Sequence, residues 1–332
     1  MESNTALVLG ATGGIGGEVA RQLIDAGWTV RALHRGSEQP KKWQGGMTWL
    51  RGDAMNRDDV LAAAQGCAVI VHAVNPPGYR RWGELVLPML NNTIAAAQSQ
   101  GATIVLPGTV YNFGPNAFPT LREDSPQQPL TRKGAIRVEM ERRLQLASSQ
   151  GCKVIVVRAG DFFGPKPGNS WFSQGMLKPG QPVKAISMPN APGVGHQWSY
   201  LPDVARTMVA LVQRRDTLTP FAAFHMAGHW DADGTQLAAA ISRVVVKHGG
   251  AQPTVRAFPW WLTALAAPFV PMLRELRELR EMHYLWNTRL EMSNAKLVAE
   301  LGHEPHTPLE EAVEAALEGM GCLGAAPSPA RA

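Results

Sequence analysis

Residues 5–16, Thr-Ala-Leu-Val-Leu-Gly-Ala-Thr-Gly-Gly-Ile-Gly, decide the fold of this chain. A run of β-prone residues ends at Gly10, and Gly13 and Gly16 follow before residues 18–26, whose apolar side chains recur at helical spacing. Glycine lets a chain turn sharply between a strand and a helix, because it has no side chain to clash with the backbone. The stretch therefore predicts a strand, a glycine turn and a helix, the opening unit of a parallel α/β sheet.

The same alternation continues through the first half of the chain. Apolar runs predict further strands at 29–33, 47–51, 68–73, 103–106 and 153–158. Helical patterns lie between them at 57–65, 85–100 and 132–150. Strands that alternate with helices pair in parallel, so these patterns predict a doubly wound sheet with helices on both faces.

Composition is typical of a globular protein and excludes several other classes. The 33 glycines and 25 prolines among 332 residues are fewer than a disordered chain would carry. The formal net charge of +5 resides in residues 1–160, which hold 17 Lys and Arg against 12 Asp and Glu, whereas residues 161–332 hold 15 of each. No dense Lys/Arg run occurs, which argues against a nucleic-acid partner, and the excess suits a small anionic ligand.

The cysteines and the apolar stretches predict a cytoplasmic protein. Cys67, Cys152 and Cys322 form no Cys-x-x-Cys pair, which is typical of a reducing compartment, and no signal peptide is expected. The longest uncharged apolar stretch, 257–273, has 17 residues and three prolines, which is shorter than the roughly 20 residues of a membrane span. We predict no integral membrane segment and interpret this stretch as lobe core, a lid, an oligomer contact or a peripheral membrane contact. A homodimer is left open.

The glycine turn predicts a dinucleotide site. Its backbone can approach a pyrophosphate, whose charge is favoured by the helix N-terminus. The second strand ends at His34 and Arg35, where an NAD-selective site usually has an acid, so we expect NADP(H) in preference to NAD(H). Asp53 and Ala54 are predicted at the adenine. The full set of predicted cofactor residues is Gly10, Thr12, Gly13, Gly14, Ile15, Gly16, His34, Arg35, Asp53, Ala54, Ala73, Val74 and Arg137.

The pattern changes after Arg158, because residues 161–200 are rich in Gly, Pro, Trp and Phe. The predicted fold class is α/β, a doubly wound parallel Rossmann sheet with a smaller C-terminal substrate lobe. The predicted domains are an NADP(H)-binding Rossmann domain at 1–160 with 195–228 returning to it, a substrate lobe at 161–194 and 229–322, and a disordered tail at 323–332.

Three later segments add to the glycine motif. Residues 157–165, Val-Arg-Ala-Gly-Asp-Phe-Phe-Gly-Pro, are followed by residues 198–205, Trp-Ser-Tyr-Leu-Pro-Asp-Val-Ala, and by a closing helix pattern at 294–312. They resemble, in order, Arg-x-x-Asn-x-Tyr-Gly-Pro, Val-Asp-Asp-Val-Ala and the closing helix of the extended or atypical short-chain dehydrogenase/reductases, which include the NAD-dependent epimerase/dehydratases. The resemblance covers nearly the whole chain and implies a nicotinamide-dependent enzyme.

The catalytic residues that the resemblance implies depart from the family's usual Ser/Thr, Tyr and Lys. Aligning residues 113–114, Phe-Gly, with the family's Tyr-Gly places Thr109 at the Ser/Thr position. The following helix has Lys133-x-x-x-Arg137 where the family has Tyr-x-x-x-Lys. The spacing of four places both side chains on one helix face, so one can meet the substrate and the other the cofactor.

Three interpretations of this site are open. In the first, Lys133 transfers the proton and Arg137 holds the cofactor ribose; the site also resembles that of isoflavone-reductase-like relatives, in which a lysine is the general base. In the second, Tyr111 or Tyr200 replaces the missing acid. In the third, catalysis is lost and the chain is an NADP(H)-sensing regulator. The leading hypothesis is an NADP(H)-dependent oxidoreductase of a small, partly apolar carbonyl or enone-type compound, with an epimerase or isomerase that retains its cofactor as a further alternative.

Candidate substrate residues come from loops at the strand ends, where such folds bind ligands. They are Asn75, Tyr79, Phe162, Trp171, His196 and Trp198. The mixture is aromatic with a few polar groups, which suits a partly apolar compound. Nucleotide-sugar members of the family tend to have an arginine where His196 falls, so a nucleotide sugar is not favoured. The pairs His225/His229 and His303/His306 lack an evident third ligand, and no metal site is predicted.

Overall fold

The computed structural model describes residues 4–36, 46–76, 81–168, 170–261 and 283–323. The strands among them are β1 (Thr5–Leu9), β2 (Thr29–His34), β3 (Thr48–Arg51), β4 (Val69–His72), β5 (Thr103–Thr109), β6 (Thr120–Leu121), β7 (Val154–Ala159), β8 (Asp161–Phe163), β9 (Ala185–Met188), β10 (His196–Tyr200), β11 (Phe221–His225), β12 (His229–Asp231), β13 (Thr254–Ala257) and β14 (Glu291–Met292). The helices are α1 (Gly14–Asp25), α2 (Arg57–Ala64), α3 (Trp82–Gln100), α4 (Arg132–Ser149), α5 (Leu201–Gln213), α6 (Gln236–Lys247), α7 (His283–Trp286), α8 (Ala295–Leu301) and α9 (Leu309–Gly319).

Seven strands form one parallel sheet in the order β3-β2-β1-β4-β5-β7-β11. β1 lies between β2 and β4, with Val8 opposite both Ala32 and Val71. The strand order reverses beside β1, because the chain first adds strands on one side of it and then on the other. This reversal opens a crevice at the carboxyl ends of the strands, where doubly wound sheets bind their ligands. The predicted α/β class and parallel Rossmann sheet are confirmed.

Helices cover both faces of the sheet. On one face α1 packs against α5, and on the other α2 packs against α3 and α3 against α4. Each face has its own apolar core, represented by Leu23 of α1 with Met208 of α5 and by Val60 of α2 with Leu144 of α4. Strands buried on both faces are mostly apolar, which is why the runs at 29–33 and 68–73 were recognisable as parallel strands although they contain Arg31 and His72.

A smaller lobe follows β7. It contains the three-stranded sheet β8-β10-β12 and the pair β9-β13, with α6 packed against α9. Phe163, Trp198, Ile241 and Val313 belong to its core. The short pair β6-β14 joins residues far apart in sequence. β10 thus belongs to a small sheet of the lobe, whereas β11 completes the large sheet; the exact domain bounds remain a prediction.

Some predictions fall on parts of the chain outside the described residues. They are Tyr79 as a substrate residue, most of the apolar stretch 257–273, and residues 324–332 of the tail. Within the described ranges, no helix combines the length and the apolarity that crossing a membrane requires.

Candidate active site

A cleft of about 840 Å³ runs along the carboxyl edge of the seven-stranded sheet and continues to the lobe. Most of the predicted site residues line it together. They are Gly10, Thr12, Gly13, Gly14, Ile15, His34, Arg35, Asp53, Ala54, Ala73, Val74, Asn75, Thr109, Tyr111, Lys133, Arg137, Phe162 and Trp171. A cleft of this volume lies in the range of small-molecule and cofactor sites.

The turn between β1 and α1 has the features of an anion site. Gly10 has a φ of +92°, and a Cβ there would lie 2.5 Å from the carbonyl oxygen of Ala73. Gly13 donates its N–H to the Gly10 carbonyl at 2.9 Å, and α1 begins at the next residue with no side-chain cap and no acidic residue in its first turn. The first N–H groups of a helix have no partner within it. They therefore suit a phosphate placed in the cleft.

Gly16 is buried behind the turn and does not line the cleft. A Cβ at this position would overlap the carbonyl oxygen of Gly10. Its role in the geometry is to let α1 approach the end of β1 closely, which brings the helix N-terminus to the cleft.

The ends of β2 and β3 form one extremity of the cleft. Arg35 is exposed there, and the half-buried His34 accepts the Gly36 N–H on Nδ1 at 3.0 Å. Asp53 accepts the Met55 N–H at 3.0 Å, which orders the turn after β3. Ala54 is buried beside it. This end thus carries a cationic side chain, which suits a negatively charged substituent of a ligand.

The end of β4 adds a residue that the sequence analysis missed. His72 lines the cleft beside Ala73, and its Nδ1 lies 2.8 Å from the Thr93 hydroxyl. Its Nε2 is buried and has no hydrogen-bond partner among the described residues. Burial, reinforced by the positive charge of Arg137, lowers the pKa of His72 to about 3. The ring is therefore neutral at physiological pH.

Thr109, Tyr111 and Lys133 lie in the middle of the cleft. β5 ends at Thr109, whose hydroxyl accepts the Tyr111 N–H at 3.3 Å and so orders the single turn that follows. Lys133 is in the first turn of α4, which Thr131 caps by accepting the Gly134 N–H at 3.0 Å. One turn later the Arg137 guanidinium lies over the ring of Trp82, 5.2 Å from its centroid. The cap of α4 and the end of β5 thus direct these polar side chains to one region.

Asp161 is a second residue that the sequence analysis did not place in the site. It follows β7, lines the cleft, and stands at the Asn position of the family's Arg-x-x-Asn segment. One carboxylate oxygen lies 2.9 Å from His196 Nε2, and the other accepts the Tyr111 hydroxyl at 3.5 Å. The aligned segment was the signal that could have identified it.

Aromatic side chains form the lobe end of the cleft. Phe162, Trp171 and Phe258 line it, and the Trp171 and Phe258 rings meet edge to face with centroids 5.5 Å apart. The predicted residues His196 and Trp198 do not line the cleft: Trp198 is 1% exposed in the lobe core, and His196 lies behind Asp161. Both are in β10, and both rings pack against Trp286 inside the lobe.

Tyr200, the alternative acid, is also away from the cleft. It packs on Phe163, with ring centroids 5.4 Å apart. Burial, with the negative charge of Asp203 as the next cause, raises the pKa of the Tyr200 hydroxyl. Of the two tyrosines considered, Tyr111 is the one that lines the cleft.

Two groups of three metal-ligating side chains lie outside the cleft. In each, within the described ranges, the ligand atoms are within 4.8 Å of one another: Asp203 with His229 and His306, and His248 with Glu314 and Glu318. Asp203 already accepts the Thr307 N–H and hydroxyl, each at 2.8 Å. Glu314 pairs with Lys247 at 2.8 Å. The first group joins His229 and His306, which the sequence analysis had placed in separate pairs.

Comparisons with known proteins agree with this geometry. A model of the family described as NAD dependent epimerase/dehydratase matches residues 6–227. An uncharacterized protein, y4nL, of Sinorhizobium fredii is 29% identical over 202 residues, 54% of this chain and 57% of that protein. A putative dihydroflavonol 4-reductase of Synechocystis sp. is 28% identical over 169 residues, 48% of this chain and 49% of that protein. The chain thus spans about half the length of these relatives.

Among solved structures, a UDP-glucose 4-epimerase from Brucella ovis in complex with NAD is similar over 96% of this chain and 98% of its own, with a TM-score of 0.73 and 14% identity. That likeness shows the fold alone. The family model, in contrast, covers the large sheet and the cleft residues that β1 to β11 supply. The chain belongs to the NAD dependent epimerase/dehydratase family.

Proposed function

We propose that the protein is an NADP(H)-dependent oxidoreductase that acts on a small, partly apolar carbonyl or enone-type compound. The observation that carries the proposal is the order of groups along one cleft. A basic end at β2, a glycine turn at β1, polar side chains at β5 and α4, and aromatic walls in the lobe follow one another there. In this proposal residues 1–160 with 195–228 hold the cofactor, and residues 161–194 and 229–322 shape the substrate end.

The choice of NADP(H) rests on the end of β2. Arg35 and His34 line the cleft there, and an arginine can pair with a 2′-phosphate through charge-assisted hydrogen bonds. The glycine turn and the α1 N-terminus would hold the pyrophosphate, Asp53 and Ala54 would lie at the adenine, and Arg137 at the ribose nearest the reacting ring. The Brucella ovis structure contains NAD, so the test compares both cofactors.

The chemistry that we propose uses Lys133 as the proton donor. When bound, a reduced nicotinamide would supply the hydride for the carbonyl carbon. Lys133 Nζ would donate a proton to the carbonyl oxygen and regain one from water, and the Thr109 hydroxyl would donate a hydrogen bond to the same oxygen, which gives an alcohol as the product.

The test is NADPH oxidation with a panel of aromatic and aliphatic ketones and enones, measured for the wild-type protein and Lys133→Met. We expect kcat/KM of the variant to fall by about 100-fold or more, because general acid catalysis contributes roughly 10²–10⁴-fold. NADPH affinity, measured by fluorescence titration, should stay within about twofold of wild type. Lys184→Met, at an exposed position away from the cleft, is the matched control.

Unchanged turnover in Lys133→Met would make Tyr111 the acid instead. NADPH binding without turnover of any compound would favour the sensing regulator. Conversion of an alcohol to its epimer without net oxidation of added cofactor would favour the epimerase.

A further inference from the structure

Asp161 presents a carboxylate at the junction of the polar and aromatic parts of the cleft. It lines the cleft with Phe162 and Trp171 on the lobe side and Lys133 on the helix side. Its side chain is 12% exposed, so most of the carboxylate has lost contact with water. A carboxylate in such a place requires hydrogen bonds to compensate for the lost hydration.

His196 supplies one of these bonds and fixes the carboxylate in place. Its Nε2 lies 2.9 Å from Asp161 Oδ2. The imidazole ring stacks on Trp286 with centroids 3.8 Å apart, and the Trp198 ring meets it edge to face at 4.9 Å. A ring packed against two indoles has little freedom to turn, so Asp161 is positioned by a rigid partner.

The second carboxylate oxygen, Oδ1, makes a longer contact than Oδ2 does. Its contact with the Tyr111 hydroxyl, at 3.5 Å, is long for a hydrogen bond between oxygens. An ionised carboxylate has about four acceptor sites and no donor. Oδ1 therefore retains the capacity to accept a hydrogen bond from a group placed in the cleft, and it cannot satisfy a second acceptor there.

We infer that Asp161 is a specificity-determining residue that selects substrates bearing a hydroxyl donor on a flat, aromatic body. The inference rests on the proposed function and names its substrate class: neutral hydroxylated aromatic carbonyl compounds. The rings of Phe162, Trp171 and Phe258 supply the apolar walls, and Asp161 Oδ1 accepts the hydroxyl proton. A carboxylate or phosphate at the same place would meet an acceptor and be rejected, because neither partner could donate.

The test uses matched probes: the 2′-, 3′- and 4′-hydroxyacetophenones and the corresponding methoxyacetophenones. Two quantities are measured for each, kcat/KM with NADPH and the dissociation constant from tryptophan fluorescence in the presence of NADP⁺. We expect at least one hydroxyl compound to exceed its methoxy partner by about tenfold in both, the effect of one charge-assisted hydrogen bond. Asp161→Leu, which keeps the branching at Cγ and has no acceptor, should abolish this preference through KM more than kcat.

Asp161→Asn covers the case in which the leucine variant does not fold, since it keeps the shape but retains one accepting oxygen and adds a donor. It should reduce the preference for the hydroxyl compound and admit 4-acetylbenzoate, which the wild-type protein rejects. Asp124→Asn, whose side chain is 80% exposed in the loop before α4, is the control and should behave as wild type.

The inference is overturned if the wild-type protein shows no hydroxyl preference at any ring position, binds none of the probes, or keeps the preference in both Asp161 variants. Failure of the proposed function would give a different set of measurements. In that case no probe is reduced, but the dissociation constants still show the hydroxyl preference and its loss in the variants.

Discussion

Arg35 is the residue on which the proposed cofactor preference depends. It is exposed at the end of β2 and lines the cleft, so a 2′-phosphate could reach it without rearrangement of the sheet. Arg35→Ala should weaken NADPH binding by about tenfold, because it removes a charge-assisted hydrogen bond, and should leave NADH binding nearly unchanged. Isothermal titration with both cofactors measures the difference.

The control for this change is Arg57→Ala, at the exposed start of α2 and away from the cleft. An equal loss of affinity for NADPH and NADH in Arg35→Ala would contradict a 2′-phosphate contact. A wild-type protein that binds NADH more tightly than NADPH would contradict the proposed preference itself.

The sequence predicted many residues of the cleft from their position at strand ends, but it missed His72 and Asp161, which also lie at strand ends. Gly10, Arg35 and Thr109 each follow a recognisable strand, and parallel strands place their carboxyl ends at one edge. His196 was assigned to the substrate because it lies in an aromatic segment, but the register of β10 turns it behind Asp161. No local pattern distinguishes a side chain in a cleft from one directly behind it.

At the scale of elements, α4 is held to the sheet by a buried ion pair. Arg158 of β7 and Glu141 of α4 are 2% and 5% exposed, and their two contacts measure 3.0 and 2.6 Å. Arg158 also donates to His225 Nε2 at 2.8 Å, and Gln127 donates to Glu141 at 2.8 Å. Because α4 also carries Lys133, this pair fixes the helix whose first turn enters the cleft.

Removing one member of this pair should cost more stability than removing both. Glu141→Leu leaves the Arg158 charge buried without its partner, and we expect a loss of about 3–5 kcal/mol in the free energy of unfolding. Glu141→Leu combined with Arg158→Met should recover part of that loss, because no charge remains to be solvated. Urea unfolding followed by circular dichroism measures both.

The control is Glu310→Leu, which removes one member of an ion pair whose two side chains, Glu310 and Arg243, are both exposed. Surface pairs contribute at most about 1 kcal/mol, so this variant should remain near wild type. A double variant less stable than Glu141→Leu alone would show that the pair contributes net stability rather than compensating its own burial.

Elements with regular patterns were predicted well, and those formed by distant pairing were not. The strands of the large sheet differ from their predicted bounds by a few residues at most, because each contains consecutive apolar residues. The pair β6-β14 consists of two residues in each strand and joins Leu121 to Met292. So short a strand has no periodicity of its own, and only the packed molecule brings the two segments together.

At the scale of the whole molecule, three histidines in different parts of the fold are buried and neutral. His72 ends β4, His225 ends β11, and His229 lies in β12. Burial is the main cause that lowers the pKa of each, to about 3, about 3 and about 4. The neighbouring positive charge of Arg137 acts in the same direction on His72, and that of Arg158 on His225.

These histidines predict how stability depends on pH. Above a pH of about 6.5 they are neutral in both the folded and the unfolded chain, so they do not make the free energy of unfolding depend on pH there. As the pH falls from about 6.5 towards 4, the unfolded chain binds protons that the folded chain cannot, and the unfolded state is favoured. We therefore expect the free energy of unfolding to fall on acidification, each histidine adding up to about 1.4 kcal/mol per pH unit.

Urea unfolding at a series of pH values from 7 to 5 measures the slope, and His229→Phe isolates the contribution of one histidine. His229 does not line the cleft, and its ring lies 5.5 Å from that of Phe163, so a phenyl ring can pack in its place. The variant should show a smaller slope than wild type, because one of the groups that bind a proton on unfolding has been removed. His303→Phe, a change of the same kind at an exposed position, should retain the wild-type slope. A slope in His229→Phe equal to that of wild type would mean that His229 is protonated in the folded chain, contrary to the burial of its Nε2, which has no hydrogen-bond partner in the described part of the chain.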